Sequence, residues 1–238
     1  MIRTQDRLIF ALDVPTPQQA RQLVEELGDS VSFYKIGLEL FSAGGYWELV
    51  EWLKERDKKV FADLKLFDVP NTVASAVRAL APRGVDFLTV HGNDGILRAA
   101  CKAREEAGGA GGPRILAVTV LTSLDRGDLD DLGFDVDVEE LVLSRARRAV
   151  QIGCDGIVAS GLEAPALRAA VDEAALLVCP GIRPVDNKSD DQKRTVDVEQ
   201  AFRNGADYIV VGRPIRTAEN PREAAEAIQR VIAGVFEG

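Results

Sequence analysis

Short runs rich in β-branched and aromatic residues alternate with longer segments of helical period along the whole chain, and that alternation leaves few folds open. The runs lie at residues 7–13, 31–37, 59–65, 85–91, 114–121, 155–160, 175–180 and 207–212. Between them fall segments such as PQQARQLVEELG, GYWELVEWLKER, TVASAVRALAPRG and VEELVLSRARRAVQIG, with PREAAEAIQRVIAGVF at the end, and several stop at a glycine suited to a helix C-cap. Strand, helix and returning strand make the βα unit of a parallel sheet. Eight such units in 238 residues predict an α/β protein, a (β/α)8 TIM barrel with residues 1–238 as one domain. An open, doubly wound sheet competes, but the first run is followed by VPTPQQA and lacks the glycine-rich turn such sheets often carry.

The 46% of hydrophobic residues is enough for one sizeable core. A net charge of -9 argues against nucleic-acid or membrane-surface partners, so any anionic ligand has to be held by a local basic cluster. The opening MIRTQDRLIF lacks a secretory apolar run, and no stretch is apolar for the ~18 residues a span requires, which predicts a soluble, unprocessed chain. Cys101, Cys154 and Cys179 are far apart in sequence and set among apolar residues, which fits buried thiols in a reducing cytoplasm better than a disulfide framework or a metal knuckle. Residues 108–112, GGAGG, precede the fifth run and belong at the bottom of the barrel as a linker without function. Two long segments belong on the top face: 123–137, expected to be a solvated acidic turn, and 181–195, expected to be a lid because it ends in Gln192, Lys193 and Arg194.

Inward-facing side chains of a strand recur every second residue, and barrel chemistry gathers at the carboxyl ends. The charges obey both rules. Asp13 closes the first run, Lys35 nears the end of the second, Asp63 and Lys65 share a face of the third, and His91 closes the fourth. Thr122 follows the fifth, Arg183 the seventh, and Gly212 with Arg213 the eighth. Burying an ion costs several kcal/mol unless it is paired, so Asp13, Lys35, Asp63 and Lys65 are expected to form an alternating ionic network. Such a network fits a site better than a device for fixing strand register. Arg183, Gln192, Gly212 and Arg213 make a credible phosphate grip at the place where barrels often bind phosphate. Asp68 lies beyond the third run; as an N-cap for a helix beginning near Thr72 it has a competitor in Asn71, and spacing leaves its role open. His91, the chain's one histidine, is expected to be partly buried with its hydrogen bonds satisfied.

The run Asp63-Leu-Lys65-Leu-Phe-Asp68-Val-Pro70-Asn71-Thr72 resembles the D-x-K-x-x-D-x-P-N-T signature of the orotidine 5'-phosphate decarboxylase family. FALDVP with Asp13, YKIG with Lys35, LTS with Thr122, PGIRP with Arg183, DDQKR with Gln192 and VVGRPI with Gly212 and Arg213 follow in the family's order. The resemblance implies a homodimer of barrels, no metal and no organic cofactor, and conversion of orotidine 5'-phosphate to uridine 5'-phosphate and carbon dioxide in de novo pyrimidine biosynthesis. It implies that Lys65 protonates C6 of the pyrimidine and that Asp63 holds its ammonium, Asp68 and Lys35 completing the catalytic charges. It further implies that Asp13, Lys35 and Asp63 lie against the ribose, Thr122 against the base, and Arg183, Gln192, Gly212 and Arg213 against the phosphate, while Asp68 and Thr72 cross into the partner's site. A metal-dependent sugar-phosphate decarboxylase or aldolase of the same suprafamily shares the D-x-K-x-x-D core, but Pro70-Asn71-Thr72 and Gln192 argue against it. A non-catalytic barrel that senses a phosphorylated pyrimidine is a further alternative, made improbable by the complete charged set.

Overall fold

The computed structural model describes residues 2–108, 111–171, 173–183 and 196–237. Eight strands, β1 (Leu8–Ala11), β2 (Phe33–Gly37), β3 (Lys59–Leu66), β4 (Phe87–His91), β5 (Arg114–Val118), β6 (Gly156–Val158), β7 (Leu176–Cys179) and β8 (Tyr208–Val211), close into a barrel in sequence order, every pair parallel. Eleven helices accompany the described strands: α1 (Pro17–Leu27), α2 (Leu38–Ala43), α3 (Tyr46–Lys54), α4 (Pro70–Leu80), α5 (Asp94–Glu106), α6 (Arg126–Asp131), α7 (Val138–Ile152), α8 (Ala164–Ala170), α9 (Val198–Arg203), α10 (Arg213–Arg216) and α11 (Pro221–Phe236). All eight expected runs contain a strand. The fifth ends early, at Val118, because the chain there leaves the ladder to line the barrel mouth with Val120 and Leu121.

Local chemistry sets the helix ends. Thr16 accepts the amide hydrogen of Gln19 through its hydroxyl, and Pro17 opens α1 where a missing N–H costs nothing. Gly153 closes α7 at φ 103°, a left-handed conformation that costs an L side chain about 1–2 kcal/mol. Segment 123–137 is more than the acidic turn expected: it folds α6, capped reciprocally by Asp125 and Asp128, and buries Leu129. Paired caps and one apolar anchor suffice to order a short polar stretch.

Alternation splits the core into two layers. Outward residues such as Leu8, Phe10, Tyr34 and Ile36 pack under the helices, while Ile9, Phe33, Phe61, Phe87, Leu116 and Tyr208 fill the barrel interior. The inner layer is an aromatic plug, with Phe87 at 4.9 Å from Phe33 and 5.1 Å from Tyr208 between ring centroids. On β6 a Cβ at Gly156 would lie 2.6 Å from the Leu176 carbonyl oxygen, so only glycine lets the strand approach β7 there. At the base Asp6, buried, accepts from Arg3, Lys59 and Ser32. Gly111 and Gly112 of the expected linker lie against a small cavity beside Lys59 and Arg114, at the barrel bottom as expected; Gly109 and Ala110 fall outside the described residues. The three cysteines are buried free thiols, and Cys101 and Cys154, distant in sequence, meet at 3.6 Å. Among the described residues no helix is long and apolar enough to cross a membrane.

Candidate active site

Above the aromatic plug, the next inward position on each of the first four strands is polar. Ile9 and Ala11 of β1 are followed by Asp13, Phe33 of β2 by Lys35, Phe61 of β3 by Asp63, and Phe87 of β4 by Thr89. The first three of these polar residues, with Lys65, line one wall of a cavity of about 530 Å3 at the carboxyl ends of the strands. Its floor is apolar, made by Ala11, Phe61, Val118, Val158 and Val210. Thr122 and Ser123 contribute from the segment after β5, and Arg183, Gly212, Arg213 and Arg216 form the side reached from β7 and β8.

The charged wall is a chain of alternating signs. The Lys35 ammonium lies 3.1 Å from Asp13 Oδ1 and 3.4 Å from Asp63 Oδ2. The Lys65 ammonium donates to both Asp63 oxygens at 2.8 Å. Burial alone would raise the Asp63 carboxyl, but Lys35, Lys65 and the Thr89 hydroxyl together hold it below its ordinary value. Burial likewise opposes the charge on Lys35, and Asp63 and Asp13 outweigh it, leaving that ammonium raised above its usual range. Both groups are therefore ionised at neutral pH. The Lys65 side chain is 34% exposed and that of Asp13 47%, against 13% for Lys35 and 11% for Asp63, so the two ends of the chain are open to a ligand and Lys65 is its open cation.

Lys65 reaches this place through an irregular backbone. Between Ala62 and Leu66 β3 advances four residues while its partner β4 advances two, from Leu88 to Val90. The surplus is taken up with Lys65 at φ 45°, left-handed for a residue with a side chain, and its amide hydrogen leaves the ladder to meet Thr89 Oγ1 at 3.0 Å. Sequence reasoning put Asp63 and Lys65 on one face by simple alternation; their ammonium–carboxylate contact agrees, but a bulge accompanies it.

Several expected residues do not enter this cavity. Asp68 and Thr72 are exposed and line no part of it. Asp68 accepts the Val69 amide hydrogen at 2.6 Å, and α4 begins at Pro70 with Val69 as an N-cap that lends no side-chain bond. Neither of the two candidates caps the helix, which starts two residues earlier than the expected Thr72 and so places Asn71 inside the first turn. Gln192, Lys193 and Arg194 lie outside the described residues. The stem of that segment is described, and there Ile182 bridges to Val196 while the Arg183 amide donates to the Val196 carbonyl at 3.0 Å.

His91 also departs from expectation. It is half-buried under the ring of Phe67 at 5.4 Å between centroids, and among the described residues its buried Nδ1 has no hydrogen-bond partner. Burial, then Arg145 and Lys65, push its pKa down, which keeps the imidazole neutral. The sequence missed Thr89, Glu39, Ser123 and Arg216. Arg216 had a signal, since it stands one helical turn after Arg213, and Ser123 follows Thr122 directly. Thr89 had only its alternation with Phe87 and His91, and Glu39 none. Among the described residues no group of three or more His, Cys, Asp or Glu side chains is placed to hold a metal ion.

Comparison with known proteins adds to this geometry. Residues 6–228 match the model of the family described as "Orotidine 5'-phosphate decarboxylase / HUMPS family". The chain is 64% identical over 232 residues to an orotidine 5'-phosphate decarboxylase of Methylococcus capsulatus, covering 97% of this chain and 93% of that protein. It is 50% identical to one of Stenotrophomonas maltophilia, covering 99% and 96%. The crystal structure of the Lactobacillus acidophilus orotidine 5'-phosphate decarboxylase superposes with a TM-score of 0.84 at 35% identity, covering 95% of this chain and 99% of that one.

Proposed function

The chain belongs to the orotidine 5'-phosphate decarboxylase / HUMPS family, and from that premise we propose that it converts orotidine 5'-phosphate to uridine 5'-phosphate and carbon dioxide, a step of pyrimidine nucleotide synthesis. The observation that carries the reading is the Lys65 ammonium, pinned by Asp63 at 2.8 Å and turned toward the cavity. Loss of carbon dioxide from C6 leaves a localised carbanion with no electron sink beside it, so fixed charge has to stabilise it. The Lys65 ammonium is the available charge and the available proton: C6–carboxylate cleavage leaves its electron pair on C6, and Lys65 delivers H+ to that pair. Asp63, itself held by Lys35 at 3.4 Å, keeps the ammonium in position before the reaction starts. A metal-dependent sugar-phosphate reaction is not favoured, because relatives at 64% and 50% identity carry the decarboxylase name.

Asp13 and Lys35 suit the ribose hydroxyls, Thr122 the base, and Arg183, Gly212 and Arg213 a phosphate, with Gln192 assigned to the same group. The site is completed by a second copy of the chain. Asp68 and Thr72 are exposed in the single chain, beside the exposed apolar Phe67 and Val69, which supports an interface at this edge. Asp68 from the partner then stands near the substrate carboxylate; two such charges ~4 Å apart repel by roughly 4 kcal/mol at an effective dielectric near 20, about a thousandfold in rate if relieved at the transition state. Phosphate binding energy has to offset that crowding. We place the enzyme in the cytoplasm, as one domain with no organic cofactor.

The absorbance of orotidine 5'-phosphate tests the assignment. Wild type is expected to consume it and Lys65→Ala to fail while still binding uridine 5'-phosphate; turnover preserved in Lys65→Ala would overturn the role given to Lys65.

A further inference from the structure

We infer that Thr89 is a positioning residue for the reaction, a single hydroxyl that fixes both partners of the Lys65–Asp63 pair. The inference rests on the decarboxylase reading and adds to it a residue outside the signature run. Thr89 Oγ1 donates its hydrogen to Asp63 Oδ1 at 2.9 Å and accepts the backbone N–H of Lys65 at 3.0 Å. Its side chain is completely buried and lines no part of the cavity, so it acts through its neighbours without touching a ligand.

The bulge explains why a hydroxyl is needed there. The surplus residues of β3 draw the Lys65 amide away from the β4 carbonyls, and an orphaned buried N–H has to find another acceptor. The same backbone turn holds Lys65 at φ 45°, a conformation that persists only when its surroundings over-determine it. Thr89 stands on β4 between the paired residues Leu88 and Val90, opposite the slip, and meets the amide with its lone pair. Its proton goes to the carboxylate oxygen that also accepts from Lys65 Nζ at 2.8 Å. One atom thus ties the strained main chain of the lysine to the anion that orients the lysine's ammonium. A threonine also brings a branched Cβ with restricted χ1, which keeps the hydroxyl pointed at both partners.

Thr89→Val keeps the shape and removes the hydroxyl; Thr89→Ser keeps the hydroxyl and removes a methyl group. In Thr89→Val kcat is expected to fall about 10- to 100-fold, the size expected for loss of a hydrogen bond to a charged group. Its affinity for uridine 5'-phosphate is expected to stay within about threefold, because the groups facing ribose and phosphate keep their places. Thr89→Ser is expected to keep kcat within about threefold of wild type. The acid limb of the kcat profile is expected to move to higher pH in Thr89→Val and to stay in place in Thr89→Ser, since only the former deprives Asp63 of a donor. Unchanged kcat in Thr89→Val, equal losses in the two variants, or a parallel loss of product affinity would overturn the inference. Exchange of the Lys65 amide hydrogen, followed in protein labelled with 15N-lysine, reads the hydroxyl without turnover: slow in wild type and Thr89→Ser, fast in Thr89→Val. If wild type failed to consume orotidine 5'-phosphate, the decarboxylase reading would fall, and slow Lys65 exchange in Thr89→Val would separately overturn the role of Thr89.

Discussion

Replacing Asp63 by asparagine keeps the shape of the side chain and deletes the charge on which two ammonium groups converge. In the wild type that charge lies 2.8 Å from Lys65 and 3.4 Å from Lys35, separations worth ~6 and ~5 kcal/mol at an effective dielectric near 20 before desolvation is set against them. Much of this is offset, because the buried carboxylate no longer has to give up water and Lys65 is partly exposed; breaking a buried pair by removing one member costs about 3–5 kcal/mol. For a chain of this length that corresponds to a fall in melting temperature of about 6–20 °C. Lys35 retains Asp13 at 3.1 Å, so the variant is expected to fold. Lys65 is left facing an amide NH2 group, and turnover is expected to be lost with it. Denaturation at several pH values supplies the stringent check. The folded-state pKa of Asp63 is depressed, so its contribution is present above the ordinary carboxyl value of about 4 and is lost as pH falls through the folded value. The stability gap between wild type and Asp63→Asn should therefore narrow in acid. A variant that melts within a degree or two of wild type at neutral pH, or a gap that widens in acid, would refute the reasoning.

Other outcomes follow from the same geometry. Lys65→Gly should be more stable than Lys65→Ala by roughly 0.5–1 kcal/mol in urea unfolding, because glycine accepts the left-handed backbone at this position and alanine does not; the reverse order would contradict the strained conformation. The single histidine gives an isolated imidazole signal, whose titration midpoint should lie below the ordinary value of about 6.5. Because that shift is downward, the stability His91 confers is complete above pH ~6.5 and declines as pH drops toward the folded value; a midpoint above 6.5 would reverse the sign. Mixing Lys65→Ala with Asp68→Ala should restore about a quarter of wild-type activity at random exchange, since half the dimers would be hybrids with one intact site of two. No recovery, with hybrids verified by mass spectrometry, would remove Asp68 from its neighbour's site.

Much of this molecule was legible in its sequence because period-2 alternation and the placement of charge are properties of single strands. Ile9, Ala11 and Asp13, or Phe33 and Lys35, reveal a buried face giving way to a polar mouth with no knowledge of their neighbours. What escaped depends on relations between strands. The slip of β3 against β4 leaves no mark in either segment alone, so nothing in the sequence singles out the hydroxyl of Thr89. Segment 123–137 looked like an acidic turn because its helix is organised by reciprocal caps and one buried leucine rather than by a long apolar stripe. The Nδ1 atom of His91 was assigned a partner on the general rule that buried polar atoms find one, and that rule has exceptions which only coordinates reveal.

The two surplus residues in β3 also bear on transplanting this chemistry. A designer who copied the lysine and its acidic companion onto the matching strand of a regular barrel would obtain the right letters with the ammonium aimed elsewhere, since a flat ladder offers no detour. Moving the activity to another scaffold would require lengthening that strand and giving its neighbour an inward hydroxyl to secure the excursion.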